Sequence, residues 1–171
     1  MVNIIANNGV WAPPRLLLDE PTRSSVDLGL SKELLGILQQ GMIAVVNEPG
    51  GTATHVRVAD FTVGGKTATS QVISLETRES LSEEDREKRE FQNHAWFVAY
   101  GPVEDPEISV LVLVEHGGSG PRAAAPVAWA ILQFYIDTIS DKRQNAQTAP
   151  AESAMPTNPE YHVRLQTAFL P

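Results

Sequence analysis

The sequence predicts an α/β fold in which an antiparallel sheet is flanked by helices. Two apolar runs, His94–Gly101 and Ile108–Glu115, are separated by a short polar link with two prolines, and links of this length join antiparallel strands. Two further stretches, Lys32–Val46 and Ala123–Ile139, carry apolar residues at helical spacing. Strands and amphipathic helices in one chain of this size predict helices that pack on a sheet.

The two predicted helices have distinct signals at their starts. The helix Lys32–Val46 follows Ser31, and serine caps helix N-termini well. Within it, Met42 is interpreted as core filler. The helix Ala123–Ile139 tolerates Pro126 because proline fits the first helical turn. The apolar positions are Leu34, Leu35, Leu38, Met42, Val45 and Val46 in the first helix, and Trp129, Leu132, Ile136 and Ile139 in the second.

The N-terminal segment contains shorter elements. Val2–Asn8 has the pattern of a helix end, which Gly9 would cap. A helix end without a beginning favours a chain that lacks its upstream part. Trp11–Leu18 is predicted to be extended, and Asp19–Gly29 to be a polar loop.

A charged segment, Glu76–Gln92, lies between two predicted strands. Ser82 and Asp85 have the spacing of a capping box, which predicts a short helix over Ser82–Arg89. The carboxylates raise a metal or acid–base hypothesis, but dense charge is normally solvated, so a surface excursion is favoured. His94, at the start of the next strand, is interpreted as a cap of the strand edge rather than a cleft residue.

Composition excludes several classes of function. The chain has 171 residues, 42% hydrophobic and 20% charged, which suits one domain with or without a tail. A formal net charge of −8 argues against nucleic acid as a partner. The absence of cysteine excludes disulfides and thiolate metal sites, and we expect neither a metal nor a cofactor. No apolar run is long enough to span a membrane.

The stretch with the most chemical content is Gly64-Gly65-Lys66-Thr67-Ala68-Thr69, which is predicted to open a strand over Lys66–Leu75. Such a strand offers a cation, hydroxyls and backbone groups that can hold a peptide carboxylate by strand addition. A phosphate-binding loop is disfavoured, because it needs a glycine where Asp60 stands and a helix after the lysine. An ordinary solvated edge lysine at Lys66 stays an open alternative.

The order of these segments resembles the C-terminal half of the transpeptidase domain of class B penicillin-binding proteins, and more closely the elongation-type penicillin-binding protein 2 group. Gly65-Lys66-Thr67-Ala68-Thr69-Ser70-Gln71-Val72 is similar to the family's Gly-Lys-Thr-Gly-Thr-Ala-Gln-Val motif. The other matching segments are Ile5 to Pro14, Gln40-Gly41-Met42 through Val45-Val46, Gly51-Thr52-Ala53, His94 to Tyr100, Val112 to Gly118, and Ala124 to Ala128.

This resemblance implies an incomplete penicillin-binding-protein/β-lactamase-like fold, with residues 1–139 as the C-terminal portion of the domain. Residues 140–171 have no counterpart in the family, and their Gln, Asn, Ala, Thr and Pro content predicts a polar, disordered tail. The resemblance also implies that Lys66 supplies positive charge, that Thr67 and Thr69 offer hydroxyls to a carboxylate, and that the Thr69 N–H serves as an oxyanion donor. Ala68 departs from the family, which has glycine at this position.

No serine has the spacing of the family's Ser-x-x-Lys or Ser-x-Asn motifs, so no catalytic residue is assigned and the chain alone is predicted to be inactive. The implied ligands are a peptidoglycan stem peptide or a β-lactam. The implied partner is the missing N-terminal part of the domain or a second copy, and the implied location is the periplasmic face of the inner membrane. A non-catalytic binding or scaffold module is the alternative function, and an unrelated hydrolase or phosphate binder is a third.

Overall fold

The computed structural model describes residues 1–17, 20–21, 23–57 and 61–148, with side chains described as far as residue 139. Three strands form an antiparallel sheet in the order β3-β4-β5, and two short strands pair separately. The helices of the described residues are α1 (Val2–Ala6), α2 (Lys32–Asn47), α3 (Leu75–Ser80), α4 (Glu83–Glu87) and α5 (Ala125–Thr148). The strands are β1 (Val10–Trp11), β2 (Val26–Asp27), β3 (Gly64–Ser70), β4 (His94–Gly101) and β5 (Ile108–Val114).

The three-stranded sheet confirms the predicted antiparallel arrangement. β4 is central, and its Phe97 pairs with Thr67 of β3 on one side and with Val112 of β5 on the other. Because side chains alternate along a strand, these three residues lie on the same face of the sheet.

The end of β3 differs from the sequence prediction. The strand stops at Ser70, so its predicted extension to Leu75 is wrong. Ser74 caps helix α3 instead, since its hydroxyl accepts a hydrogen bond from the Thr77 N–H at 3.1 Å. A side-chain cap of this kind satisfies a helix donor that a strand would leave to other partners.

The main core lies between α5 and one face of the sheet. Phe97 is 2% exposed and Leu132 1% exposed. The buried residues of this core are Val46, Ala53, Val56, Val63, Ala95, Phe97, Ala99, Ile108, Val110, Val112, Ala124, Ala125, Ala128, Leu132 and Tyr135. Helix α5 thereby fixes the sheet from one side only.

The opposite face of β5 is open. Ile108–Val114 is apolar on both faces, yet Leu111 is 65% exposed and Leu113 42% exposed, so among the described residues the strand is covered on one face only. Within the described chain β5 pairs only with β4. This edge could take the partner that the resemblance implies, the missing N-terminal part of the domain or a second copy, and that pairing stays a prediction.

The two long helices form as predicted, with shifted limits. The Ser31 hydroxyl accepts from the Leu34 N–H of α2 at 3.4 Å, which confirms the N-cap. Met42 is buried as expected, but Leu34 and Leu38 are 49% and 40% exposed. Helix α5 continues to Thr148, beyond the predicted end at Ile139. Among the described residues, no helix has both the length and the apolar character that crossing a membrane requires.

Two of the shorter predictions are confirmed and one needs correction. Gly9 has φ +93°, a conformation that favours glycine, and its N–H donates to the Ile4 carbonyl at 2.8 Å, although α1 ends at Ala6 with Asn7 as its C-cap. The Ser82 hydroxyl accepts from the Asp85 N–H at 3.1 Å and begins α4. The predicted polar loop Asp19–Gly29 contains the two-residue strand Val26–Asp27. Leu18 and Asp19 lie outside the described residues.

Candidate functional site

Strand β3 forms one edge of the main sheet, because β4 is its only strand neighbour among the described residues. Lys66, Ala68 and Thr69 are exposed on this strand, whereas Thr67 is only 9% exposed. The structure therefore brings the four sequence-predicted site residues onto one edge strand, with the Thr67 side chain turned inward.

Lys66 places a cation at this edge. Its Nζ donates a hydrogen bond to the Thr67 carbonyl oxygen at 2.5 Å. In the described part of the chain, no carboxylate lies within ion-pair distance of Lys66. The ammonium group is therefore available to an anion that approaches the edge of β3.

Helix α2 closes the beginning of the strand. The Asn47 amide donates to the Val63 carbonyl at 2.7 Å, immediately before β3. Val46 packs so closely on Gly65 that a Cβ on the glycine would lie 2.9 Å from the valine side chain. The accessible part of the edge thus runs from Lys66 towards Ser70.

The Thr67 hydroxyl has a partner on a neighbouring loop. Its Oγ1 lies 2.9 Å from Oγ1 of Thr52, at hydrogen-bond distance. Thr52 follows the end of α2 and is itself exposed. The hydroxyl assigned to carboxylate binding is therefore oriented by a second hydroxyl.

A π-helical turn, Gly120–Ala124, supports the strand from behind. A Cβ on Gly120 would lie 2.3 Å from the Trp96 carbonyl oxygen and 2.8 Å from that of Ala68. Only glycine permits this approach of backbone to backbone. Ala68 itself, by contrast, is exposed.

His55 connects the same turn to the loop of Thr52. Its Nε2 lies 2.8 Å from the Pro121 carbonyl oxygen, to which it donates. The loop after α2 and the turn before α5 are therefore joined behind β3, and both contact its residues.

The start of β4 is capped by a pair of histidines, His94 and His116. The His116 N–H donates to Nδ1 of His94 at 3.0 Å, and the two rings meet edge to face with centroids 4.8 Å apart. His94 therefore holds the turn after β5 against the start of β4, as the interpretation of a strand-edge cap expects.

The charged excursion between β3 and β4 has the contacts of a solvated surface segment. Lys88 Nζ donates to the Asp85 carboxylate at 2.6 Å, and this hydrogen bond, with that from Ser82, lowers the pKa of Asp85. Asp85 lies in the first turn of α4, where a negative charge stabilises the helix. Among the described residues, no group of three or more potential ligands is arranged to hold a metal ion.

The geometry of this edge bears on two of the sequence-based alternatives. Lys66 and Thr67 lie within a strand and no helix follows the lysine directly, so the geometry of a phosphate-binding loop is absent from this stretch. The cation of Lys66 and the hydroxyl of Thr69 lie together on this exposed strand, where they could donate hydrogen bonds to an anion.

Sequence reasoning did not find Thr52, His55 or Gly120 as part of the site. Thr52 and Gly120 stand in glycine-containing segments that are visible in the sequence. What these residues touch depends on how two distant loops pack behind β3, and spacing along the chain does not encode that contact.

Comparison with known proteins decides the family. The model of the family "Penicillin binding protein transpeptidase domain" matches residues 1–133. The chain belongs to this transpeptidase family.

Curated relatives point to one branch of the transpeptidase family. "Peptidoglycan D,D-transpeptidase MrdA" of Haemophilus influenzae is 37% identical over 100 residues, which are 58% of this chain and 15% of the relative. The protein of the same name from Salmonella typhimurium is 29% identical over 159 residues, 86% of this chain and 25% of the relative. The chain therefore spans a quarter or less of the length of these relatives.

Solved transpeptidase structures share the fold. In the "Complex between Penicillin-Binding Protein (PBP2) and MreC from Helicobacter pylori", the similar chain has a TM-score of 0.62 and 29% identity, and the match covers 77% of this chain and 23% of that chain. Pseudomonas aeruginosa PBP2 in complex with WCK 5153 gives a TM-score of 0.55 and 26% identity, covering 90% and 30%. The chain is thus a PBP2-type transpeptidase domain in part, with the penicillin-binding-protein/β-lactamase-like fold.

Proposed function

We propose that this chain is the C-terminal portion of a peptidoglycan D,D-transpeptidase that acts in cell wall synthesis during elongation. In this proposal residues Lys66 to Thr69 form the edge that holds the carboxylate end of a stem peptide or a β-lactam. The nucleophilic serine belongs to chain that this sequence does not contain. The relatives named as D,D-transpeptidases support this assignment.

The observation that carries the proposal is the free edge of β3. It combines an uncompensated ammonium at Lys66 with the exposed hydroxyl of Thr69. Because α2 blocks the strand before Lys66, a peptide whose carboxylate sits there must extend towards Ser70. From its N-terminus to its carboxylate, such a peptide runs from Ser70 to Lys66, antiparallel to β3. Antiparallel pairing is what strand addition to an antiparallel sheet favours.

The electrostatics of the edge suit an acyl-transfer site. A carboxylate accepts short, charge-assisted hydrogen bonds from an ammonium and from hydroxyls. The Thr69 N–H is proposed to be one of two oxyanion donors, a role that backbone amides perform without reorganisation. A serine activated on a separate element would complete the reaction.

The other edge strand of the sheet, β5, supports the proposal that a further segment completes the domain. β5 carries Leu111 and Leu113 outwards, 65% and 42% exposed, beside an unpaired strand edge in the described residues. Apolar, unpaired edges invite pairing with further strands. We propose that the N-terminal part of the domain covers this surface, with a second copy of the chain as the other candidate. The completed protein would work at the periplasmic face of the inner membrane, as part of a membrane-anchored parent.

A chimera tests the proposed function. In it, residues 1–139 replace the matching stretch of the Haemophilus influenzae relative, and a fluorescent penicillin reports acylation of the relative's serine. We expect the chimera to be labelled, Lys66→Ala to lose most of the label, and the exposed control Lys88→Ala to retain it. The isolated chain should form no covalent adduct.

Two results would contradict this function. Labelling of the isolated chain would reveal a nucleophile that the sequence does not predict. Equal labelling of the Lys66→Ala and Lys88→Ala chimeras would remove the carboxylate-holding role from β3. A chimera that folds but is never labelled would favour the alternative, a non-catalytic binding or scaffold module.

A further inference from the structure

We propose that Thr52 is a positioning residue for the ligand carboxylate, acting through the hydroxyl of Thr67. This inference rests on the proposed function, because it concerns how the edge of β3 binds a carboxylate. The two Oγ1 atoms are 2.9 Å apart, and in the described chain no other hydrogen-bond partner of the Thr67 hydroxyl is seen. Thr67 is 9% exposed, so only a small part of this residue can meet a ligand, and the contact with Thr52 fixes how its hydroxyl is presented there.

Thr52 is held in place by its neighbours on both sides. The Gly51 N–H donates to the Glu48 carbonyl at 3.0 Å, and the Ala53 N–H donates to the Val45 carbonyl at 2.9 Å. Ala53 is fully buried. A hydroxyl on such a fixed backbone is preorganised, and the partner it orients is preorganised with it.

The direction of the hydrogen bonds gives Thr52 its role. A hydroxyl has one hydrogen to donate and two lone pairs, whereas an ionised carboxylate only accepts. When Thr67 donates its one hydrogen to a carboxylate, its bond with Thr52 must therefore run from Thr52 to Thr67. The resulting series runs from Thr52 to Thr67 to the carboxylate, and each bond in such a series polarises the next.

Two substitutions at Thr52 separate this role from ordinary packing. Thr52→Val keeps the shape and removes the hydroxyl, whereas Thr52→Ser keeps the hydroxyl. Thr54→Val makes the same change on the same loop, and the Thr54 hydroxyl has no described contact with Thr67. Because Thr52 is exposed, circular dichroism and thermal unfolding should show that all three variants fold; if Thr52→Val does not, Thr52→Ala takes its place.

The probes are two acetylated peptides that end in D-Ala-D-Ala, one with a free carboxylate and one with a carboxamide. Each is titrated into the isotope-labelled chain and followed on the amide signals of β3. We expect Thr52→Val to weaken binding of the carboxylate peptide about fivefold, the effect of one lost hydrogen bond. Thr52→Ser and Thr54→Val should bind it like the wild type, and the weaker carboxamide peptide should not distinguish the variants.

The outcomes distinguish this inference from the proposed function. If Thr52→Val binds the carboxylate peptide like the wild type, or loses affinity equally for both peptides, the positioning role is wrong while β3 still holds the ligand. If Thr52→Ser does not restore binding, the hydroxyl is not the group that acts. If Lys66→Ala has no effect, or the wild-type chain binds neither peptide, the proposed function fails and this inference with it.

Discussion

Gly120 lies directly against the backbone of Ala68, on the side of β3 away from the exposed alanine Cβ. A Cβ on Gly120 would approach the Ala68 carbonyl oxygen to 2.8 Å and the Trp96 carbonyl oxygen to 2.3 Å. The turn before α5 thus packs against β3 at Ala68, within the stretch Lys66 to Thr69.

We expect Gly120→Ala to destabilise the fold by about 1–3 kcal/mol, the usual cost of overpacking a well-packed site. The backbone groups it would meet cannot move aside as a flexible side chain can. Urea unfolding followed by circular dichroism measures the loss.

Gly36→Ala is the matched control for this substitution. Gly36 lies within α2, and a Cβ there would meet nothing within 4 Å. Alanine is favoured over glycine in a helix by about 1 kcal/mol, so this variant should gain stability. A Gly120→Ala variant as stable as the wild type would show that the turn does not press on β3.

Tyr100 should limit stability in alkaline solution. Its side chain is 1% exposed and its hydroxyl has no partner in the described residues, and burial raises the pKa of this phenol. The unfolded chain therefore loses the phenolic proton at lower pH than the folded chain does. The free energy of unfolding is therefore unaffected by this group below the unfolded pKa of about 10, and it decreases as the pH rises from there towards the folded pKa.

Tyr100→Phe removes both the ionisable proton and the unpaired hydroxyl. We expect the variant to be more stable by about 1 kcal/mol at neutral pH, since an unsatisfied buried polar group is costly. The difference should widen above pH of about 10. Tyr135→Phe is the control, because the Tyr135 hydroxyl bonds to Glu107 at 3.5 Å; it should not stabilise. Identical unfolding curves for Tyr100→Phe and wild type from neutral to alkaline pH would contradict this explanation.

Ala68 should slow acylation in the chimera with the Haemophilus influenzae relative. Ala68 is exposed on β3, at the position where the family motif that this segment resembles has glycine, and in the proposed function its Cβ would face the ligand. We expect Ala68→Gly to raise the rate of penicillin labelling about tenfold, which corresponds to about 1.4 kcal/mol of barrier, and Ala68→Ser to lower it. Equal rates for the three side chains would mean that this position does not meet the ligand.

The sequence predicted the sheet better than it predicted the ends of its strands. The apolar runs of β4 and β5 fall within the predicted limits because burial of one face requires alternating apolar residues. β3 was extended too far because Val72 and Ile73 favour strands locally, whereas the cap at Ser74 begins a helix. Leu111 lies in an apolar run that is typical of a strand buried on both faces, yet it is 65% exposed among the described residues. The pattern along one strand does not report what packs on each of its faces.

Of the candidate site, only the residues that are consecutive in the sequence could be predicted. Lys66, Thr67, Ala68 and Thr69 are consecutive, so their shared edge follows from one strand assignment. The inward turn of Thr67 towards Thr52 joins residues 15 positions apart. Contacts of that kind arise from the packing of α2 against β3, and no local pattern in the sequence reports them.

The most direct measurement asks which edge of the sheet takes a peptide carboxylate. The isotope-labelled chain is titrated with the acetylated D-Ala-D-Ala peptide, and the amide signals of both edge strands are compared. We predict shifts along Lys66 to Ser70 that Lys66→Ala abolishes, with the signals of β5 unchanged. Shifts confined to β5, or shifts on β3 that persist in Lys66→Ala, would contradict the proposal that this strand holds the ligand's carboxylate.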